Sequence, residues 1–387
     1  MKIGIFGGTF NPPHQGHLLA AREAVQTLGL DLLYVVPAGT PPHKPLPEDT
    51  PDSPARYRLV QLMFEGEPKV QVLDMELGRP GPSYTVDTVE EICRRHPGVR
   101  PYLLLGTDAF LELTSWYRAE DLLALVIPAV FARGEGQAEA IAREAEVLET
   151  QYGASPVCVD HQVLEISSTY LREALSARGG AEFVGEAVYG ELVRGRHYGT
   201  KPAFPWLREK VFSIAPRRQA HTLGTEMEVA TLAERWGADA AEAREAAILH
   251  DVTKGLDRGE QLRLCEKYGM MPDAVESENP KLLHAMTGAG WARDEFGVND
   301  AVFDAILYHT TGRPDMTLLD KIIYIADYIE PNRDFPGLDA LRDMAYTDLD
   351  AAVAYGLALT AEQLEEKGAA VHPRSREAAQ WFAARRR

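Results

Sequence analysis

Cysteine is scarce in this chain: 387 residues carry three, Cys93, Cys158 and Cys265. They are odd in number, far apart and outside any CxxC spacing, which argues against a disulfide framework or a cysteine-built zinc site and fits a reducing compartment. Surplus positive charge is also missing. Lys and Arg number 40 against 58 Asp and Glu, a formal net charge of −18, so a broad electrostatic grip on DNA or RNA is not expected. A locally basic pocket for a small anion stays compatible with that balance. Long apolar runs are absent as well. The opening MKIGIFGG is too short for a signal-peptide core, and the strongest later run, Leu122 to Ala132, is interrupted by Pro128; no membrane span and a cytoplasmic location are expected. There is no low-complexity tract and no obvious repeat. With 45% hydrophobic and 25% charged residues, the chain has the composition of an ordered globular protein.

The length exceeds what one compact core holds and predicts two domains or more. The texture changes near residue 200. Before it, short apolar runs alternate with amphipathic stretches: Lys2 to Phe6, Leu32 to Pro37, Val70 to Leu73, Tyr102 to Leu105, Val126 to Phe131 and Val157 to Val159. That alternation predicts an α/β domain with an open parallel sheet over 1–197. The segment His197-Tyr-Gly-Thr-Lys-Pro-Ala-Phe-Pro205 carries residues that stop helices, and a linker is expected over 198–210. After it, Glu226 to Trp236, Glu242 to Leu249 and Leu318 to Ile329 show the spacing of buried helix faces, which predicts an all-α domain over 211–387. Helical pattern continues from Leu338 onward, and the basic Arg385-Arg-Arg387 end reads as a solvated tail.

The first chemical motif is Gly7-Gly8-Thr9-Phe10-Asn-Pro-Pro-His14-Gln-Gly-His17, between the first strand and a helix. Glycines let a nucleotide approach the backbone. The helix N-terminus offers free N–H groups, and histidines at i, i+3 can donate to phosphoryl oxygens. The motif lacks the GK[ST] of a Walker loop and the GxGxxG of a dinucleotide fold, which disfavours kinases and dehydrogenases.

This string resembles the signature of the HxGH nucleotidyltransferase superfamily, and within it the bacterial nicotinate-nucleotide adenylyltransferases. Three later segments agree in order: Ile166-Ser167-Ser168-Thr-Tyr-Leu-Arg172, Pro82-Ser-Tyr84-Thr85-Val-Asp-Thr88, and Leu105-Gly106-Thr-Asp108 continuing to Ser115-Trp116-Tyr-Arg118. Two positions depart from the pattern: Asn11 stands where Asp is frequent, and Leu171 where Ile is common. The resemblance implies a Rossmann-like fold and transfer of AMP from ATP, carried with Mg²⁺, to nicotinate mononucleotide. It assigns Gly7, Gly8, Thr9, Phe10, His14, His17, Gly106, Asp108, Ile166, Ser167, Ser168 and Arg172 to ATP, with Arg172 toward the β,γ-phosphates. Tyr84, Thr85, Trp116 and Arg118 go to the pyridine nucleotide, with Trp116 offering a flat face to the ring. Catalysis is shared by His14, His17, Lys44 and Arg172 as positioning and charge stabilisation, with no covalent protein intermediate. Lys44 has a surface-charge reading beside this one. A different acceptor, such as nicotinamide mononucleotide, pantetheine phosphate or a cytidylyl acceptor, stays open.

The second half holds His221, His250-Asp251, His284, His309 and Asp327. Imidazole and carboxylate are ligands for Fe, Mn²⁺ and related divalent ions, and six such residues on helices suffice for two metals sharing the Asp251 carboxylate. Asp327 interrupts the apolar segment Ile322 to Ile329, where an unpaired carboxylate would be costly and a metal partner removes the cost. The strings Ala220-His-Thr-Leu-Gly224, Leu249-His-Asp-Val-Thr-Lys254, Leu283-His284, Tyr308-His-Thr-Thr-Gly312 and Ile325-Ala-Asp-Tyr-Ile-Glu-Pro-Asn-Arg333 resemble the HD superfamily, and within it bacterial hydrolases that cleave diadenosine tetraphosphate symmetrically. That resemblance implies an HD helical bundle with two iron ions, or alternatively Mn²⁺, on the six residues. It makes Lys254, Thr310 and Arg333 phosphate contacts, Lys254 also sharing in catalysis, and a dinucleoside polyphosphate the substrate. Hydrolysis of a mono- or cyclic nucleotide, or nucleotide sensing alone, stays open for this half. Sequence carries no sign of oligomeric state.

Overall fold

A computed structural model describes residues 1–42, 46–131, 137–159 and 166–385. The chain divides into two compact units, Met1–Lys201 and Pro202–Arg387.

The first unit is a six-stranded sheet: β1 (Ile3–Gly8), β2 (Leu32–Pro37), β3 (Val70–Val72), β4 (Tyr102–Gly106), β5 (Ile127–Phe131) and β6 (Val157–Val159). These are the six apolar runs of the first half, in the order β3-β2-β1-β4-β5-β6, with every neighbour parallel. Consecutive residues such as Leu33, Tyr34, Val35 and Val36 are all buried, as a parallel sheet covered on both faces requires. Pro128 is tolerated for a definable reason. Ile127 donates to Pro101 O at 2.9 Å, so the next position along the strand faces β6, and β6 pairs only from Ala129 onward; no ladder donor is lost. β1 lies between β2 and β4, so the connections leave it in opposite directions. A crevice opens there at the carboxyl ends of the strands, where open α/β sheets bind ligands.

Among its described residues the second unit is helical throughout. Its principal helices are Gln219–Trp236, Ala240–Leu249, Arg258–Lys267, Pro280–Phe296, Asp300–Tyr308, Leu318–Ile329, Leu338–Thr347, Leu349–Glu366 and Pro373–Arg385. The Leu318–Ile329 helix is nearly apolar all round, with Ile322, Ile323, Tyr324, Ile325 and Ala326 fully buried, which makes it the centre of the bundle. Of the basic end, Arg385 stacks on the Trp381 ring at 3.6 Å; residues 386–387 lie outside the described residues.

The segment read as a linker over 198–210 is structured. A 3₁₀ turn covers His197–Gly199, and a helix runs Phe204–Ile214 with Pro205 in its first turn. A proline there gives up only an N–H that has no partner inside the helix, so it starts the helix instead of stopping it. Arg208 then grips Glu226 through Nε at 2.8 Å and Nη2 at 2.9 Å, and Arg244, bound to the same carboxylate, stacks on Phe204 at 3.9 Å. These contacts make the helix part of the second unit.

Two candidate active sites

In the first unit the glycines Gly7 and Gly8 end β1, and Gly106 ends β4 beside them and caps the helix Thr107–Leu111. Past β1 the chain turns sharply, with Phe10 at a φ of 44°, a strained value for a bulky residue. The Phe10 side chain is buried, 4.9 Å from the His17 ring, which leaves only its backbone open to a ligand. His14 is the N-cap of the helix Gln15–Leu28. Its N–H donates to His17 Nδ1 at 3.2 Å, and the two rings lie 3.8 Å apart. Because Nδ1 accepts, the neutral His17 ring carries its proton on Nε2, the tautomer that can donate to a phosphoryl oxygen.

The second motif is brought to the same place. Ser167 caps the helix Ser168–Ser176, its hydroxyl accepting from Tyr170 N at 3.1 Å. One turn on, Arg172 Nη1 donates to Asn11 O at 2.9 Å. Asn11 is the hub. Its Nδ2 donates to Thr50 Oγ1 at 2.9 Å and its Oδ1 accepts from Tyr198 at 2.5 Å. Ile166 and Ser168 are half-buried and Asp108 is exposed. Lys44 lies outside the described residues.

A cleft of about 250 Å³ adjoins these loops, lined by Gly7, Gly8 and Thr9 on one side and by Tyr84, Thr85, Trp116 and Tyr117 on the other. Trp116 is half-buried and packs on the core while presenting to the cleft. Tyr84 stacks with Tyr117 at 4.3 Å. Burial pushes the Glu76 carboxyl in the cleft wall above the usual carboxylate range, although Thr88 donates to it at 2.6 Å. Arg118 is not brought to the cleft. Its guanidinium pairs with Asp121 at 2.7 Å and Glu90 at 2.8 Å on the outer surface.

In the second unit all six sequence-selected residues meet around Asp251. Its Oδ2 lies 3.3 Å from His221 Nε2 and 3.5 Å from His250 Nε2; its Oδ1 lies 3.1 Å from His284 Nε2 and 3.6 Å from His309 Nε2. Asp327 Oδ1 completes the first group, 3.0 Å from His221 Nε2. His250 and His309 lie just past the ends of their helices rather than within them. That placement has a use, because each ring gives its Nδ1–H to a last-turn carbonyl, Ala247 O at 2.6 Å and Ile306 O at 2.7 Å. Their Nε2 atoms therefore present lone pairs inward, and the pairs His221–His250 and His284–His309 each bring two Nε2 atoms within 3.1 Å. Converging imidazole nitrogens and carboxylates, buried together, form a donor set that fits divalent metal.

The electrostatics agree. Burial opposes charge on His221, yet hydrogen bonds to Asp251 and Asp327 prevail and raise it to about 9, so a proton occupies a place suited to a cation. Burial pushes His284 down to about 4, leaving it neutral and ready to ligate. A further group, Asp273, Glu276 and His372, is different: His372 Nδ1 accepts from Arg374 N at 3.1 Å, so Nε2 carries the proton and donates to Asp273 at 3.0 Å. Arg374 also holds Glu276 at 3.2 Å; this is an ion-pair cluster, complete without a metal.

Lys254 lies 3.0 Å from Asp251 Oδ2 and Arg333 2.6 Å from Asp327 Oδ1. Thr310 Oγ1, beside His309, is buried without a hydrogen-bond partner among the described residues. Sequence reasoning missed Arg218, which also binds Asp251 Oδ2, and Glu330, which binds His221. The signals were present: an arginine three residues before His221, and a charged residue directly after the apolar helix.

Comparison with known proteins divides the chain in the same way. A cytidylyltransferase-like family model matches residues 5–174 and an HD domain model residues 218–332. The nicotinate-nucleotide adenylyltransferase of Bacillus subtilis (strain 168) is 36% identical over 183 residues, covering 47% of this chain and 90% of the relative. The symmetrical bis(5'-nucleosyl)-tetraphosphatase of the same organism is 44% identical over 161 residues, covering 41% of this chain and 86% of the relative. A crystal structure described as a predicted HD superfamily hydrolase involved in NAD metabolism, from Clostridium acetobutylicum, matches with 34% identity and a TM-score of 0.46, over 47% of this chain and 97% of that one. The chain belongs to both families, joining a nicotinate-nucleotide adenylyltransferase-like unit of the cytidylyltransferase-like family to an HD domain.

Proposed function

We propose that the chain is a bifunctional enzyme, with a first domain over Met1–Lys201 and a second over Pro202–Arg387, that adenylylates nicotinate mononucleotide and hydrolyses diadenosine tetraphosphate to two ADP. For the first activity the observation that carries most is the Arg172 bond to Asn11 O, which ties the cation of the second motif to the loop of the first, whose Gly7, Gly8 and Thr9 line the cleft together with Trp116. The acceptor phosphate attacks the α-phosphorus of ATP and pyrophosphate leaves. His14, His17 and the helix N-terminus hold the phosphates in line, Arg172 meets the β,γ-phosphates, and Mg²⁺ travels with ATP. The ring lies against Trp116, with Thr85 toward its carboxylate. Pyrophosphate release with a panel of acceptors tests this, and a preference for anything but nicotinate mononucleotide refutes the assignment.

For the second activity the carrying observation is the convergence of four imidazoles and the Asp327 carboxylate around Asp251. The first group would hold one divalent ion and Asp251 Oδ1, His284 and His309 the other, iron being favoured and Mn²⁺ acceptable. Bound there, such ions supply Lewis acidity and an acidified water. Lys254, Arg333 and Arg218, which border Asp251 and Asp327, and Thr310 beside His309 would receive the phosphate oxygens. Loss of diadenosine tetraphosphate hydrolysis in His250→Ala with adenylyl transfer retained is the expected result; retained hydrolysis refutes it. An adenylyltransferase that accepted ATP in place of its acceptor would make diadenosine tetraphosphate, so the tethered hydrolase would clear a by-product at high effective concentration. Failure of the first unit to make any from ATP removes that motive.

A further inference from the structure

We infer that Glu330 is a positioning residue of the C-terminal site, accepting from His221 Nδ1 so that Nε2 is the nitrogen left to give up its proton to a metal, and that Gly224 leaves room for its carboxylate. The inference rests on the reading of that site as a metal centre.

The chain leaves the Leu318–Ile329 helix at Glu330, which turns into an extended conformation and is 1% exposed. Both carboxylate oxygens are committed. Oε2 accepts from Asn332 N and from Asn332 Nδ2, each at 2.8 Å, and Asn332 Nδ2 also reaches Ala220 O at 3.1 Å. Oε1 faces His221 Nδ1 at 3.1 Å, with Arg333 Nε 3.7 Å away. An ionised carboxylate has no proton to give, so His221 must be the donor at Nδ1, and its Nε2 is the atom turned to Asp327, Asp251 and His250. Whereas His250 and His309 take this tautomer from carbonyls of their own helices, His221 lies early in its helix, Gln219–Trp236, and takes it from a residue 109 positions away.

Gly224 supplies an independent observation. It lies in the interior of the Gln219–Trp236 helix, where glycine is less favourable than alanine, and its φ is not in the left-handed range. A Cβ at this position would lie 2.4 Å from Glu330 Oε2 and 3.0 Å from Asn332 Nδ2. The glycine thus clears the path by which the carboxylate crosses the helix one turn after His221.

Glu330→Gln tests the mechanism with almost no change in size. The two Asn332 donors require an oxygen in the Oε2 place, which turns the new amide NH₂ toward His221 Nδ1 and favours the opposite tautomer, with Nε2 protonated. Full-length chain stripped by chelator is titrated with Mn²⁺, free ion being followed by its paramagnetic resonance signal, so that no hydrolysis is involved. Glu330→Gln is expected to weaken one of two Mn²⁺ sites by about 10–100-fold, the usual span for such supporting partners, while the metal-free protein still melts cooperatively at the wild-type temperature. Gly224→Ala is expected to weaken the same site, and the double variant to be no weaker than the worse single one, because both act through one contact. Wild-type affinity in Glu330→Gln, or independent effects that add in the double variant, overturns the inference. A wild type that binds no Mn²⁺ overturns the metal-centre reading and the inference with it, an outcome distinct from a wild type that binds while Glu330→Gln is unaffected.

Discussion

Binding of a divalent ion at the Asp251 cluster must appear as stability of the second unit. His221 Nε2 is 3.1 Å from His250 Nε2 and His284 Nε2 is 3.1 Å from His309 Nε2, all beside two buried carboxylates. The unfolded chain offers nothing comparable, so an ion that binds the folded form alone adds roughly 2.7 kcal/mol per site at a hundredfold excess over its dissociation constant. For a unit of this size each kcal/mol is worth about 2–4 °C, which gives an expected rise of roughly 5–11 °C per occupied site. Scanning calorimetry of the full chain, stripped and then supplied with Mn²⁺, should show two transitions of which only the one belonging to Pro202–Arg387 moves. His250→Ala is the control. It removes a fully buried ligand that bears on both Asp251 and Asp327, and should abolish most of the rise. A shift under about 1 °C in wild type, or an equal shift in His250→Ala, would refute the converging-lone-pair argument itself, whatever the enzyme does to nucleotides.

His17→Ala should lower the turnover of adenylyl transfer by about 10²–10³, the span for losing one preorganised donor, with hydrolysis by the second unit unchanged; pyrophosphate release reads it, and a loss below tenfold counts against the role. Tyr198→Phe leaves the buried Asn11 Oδ1 without its donor and should cost about 1–3 kcal/mol, seen in the transition of the first unit alone. Glu226→Ala removes the one carboxylate shared by Arg208 and Arg244. With both guanidiniums still able to reach water, the expected cost is about 3 kcal/mol, the low end for breaking a buried pair, measured by chemical denaturation of the second unit.

What sequence could reveal divides along a physical line. The strands were legible because two-sided burial writes itself into consecutive residues, Leu33 to Val36 being the plainest case. The cluster around Asp251 was legible because a carboxylate inside the apolar run Ile322–Ile329 is too costly to bury without a cation or a proton donor beside it. Each of those signals is local. The residues that escaped are ones whose meaning depends on a partner supplied from elsewhere. Arg118 matched a binding motif by position, yet Glu90, 28 residues earlier, claims its guanidinium. Asn11 stood out only as a departure from the pattern, and it is a hub reaching residues 39, 161 and 187 positions away. Pro205 carries the same letter whether it stops a helix or begins one, and only the Arg208–Glu226–Arg244 contacts decide which. Metal ligands can be read from a string because their chemistry is their own, whereas the groups that orient them, Glu330 above all, have a chemistry that is ordinary until the fold sets it beside an imidazole.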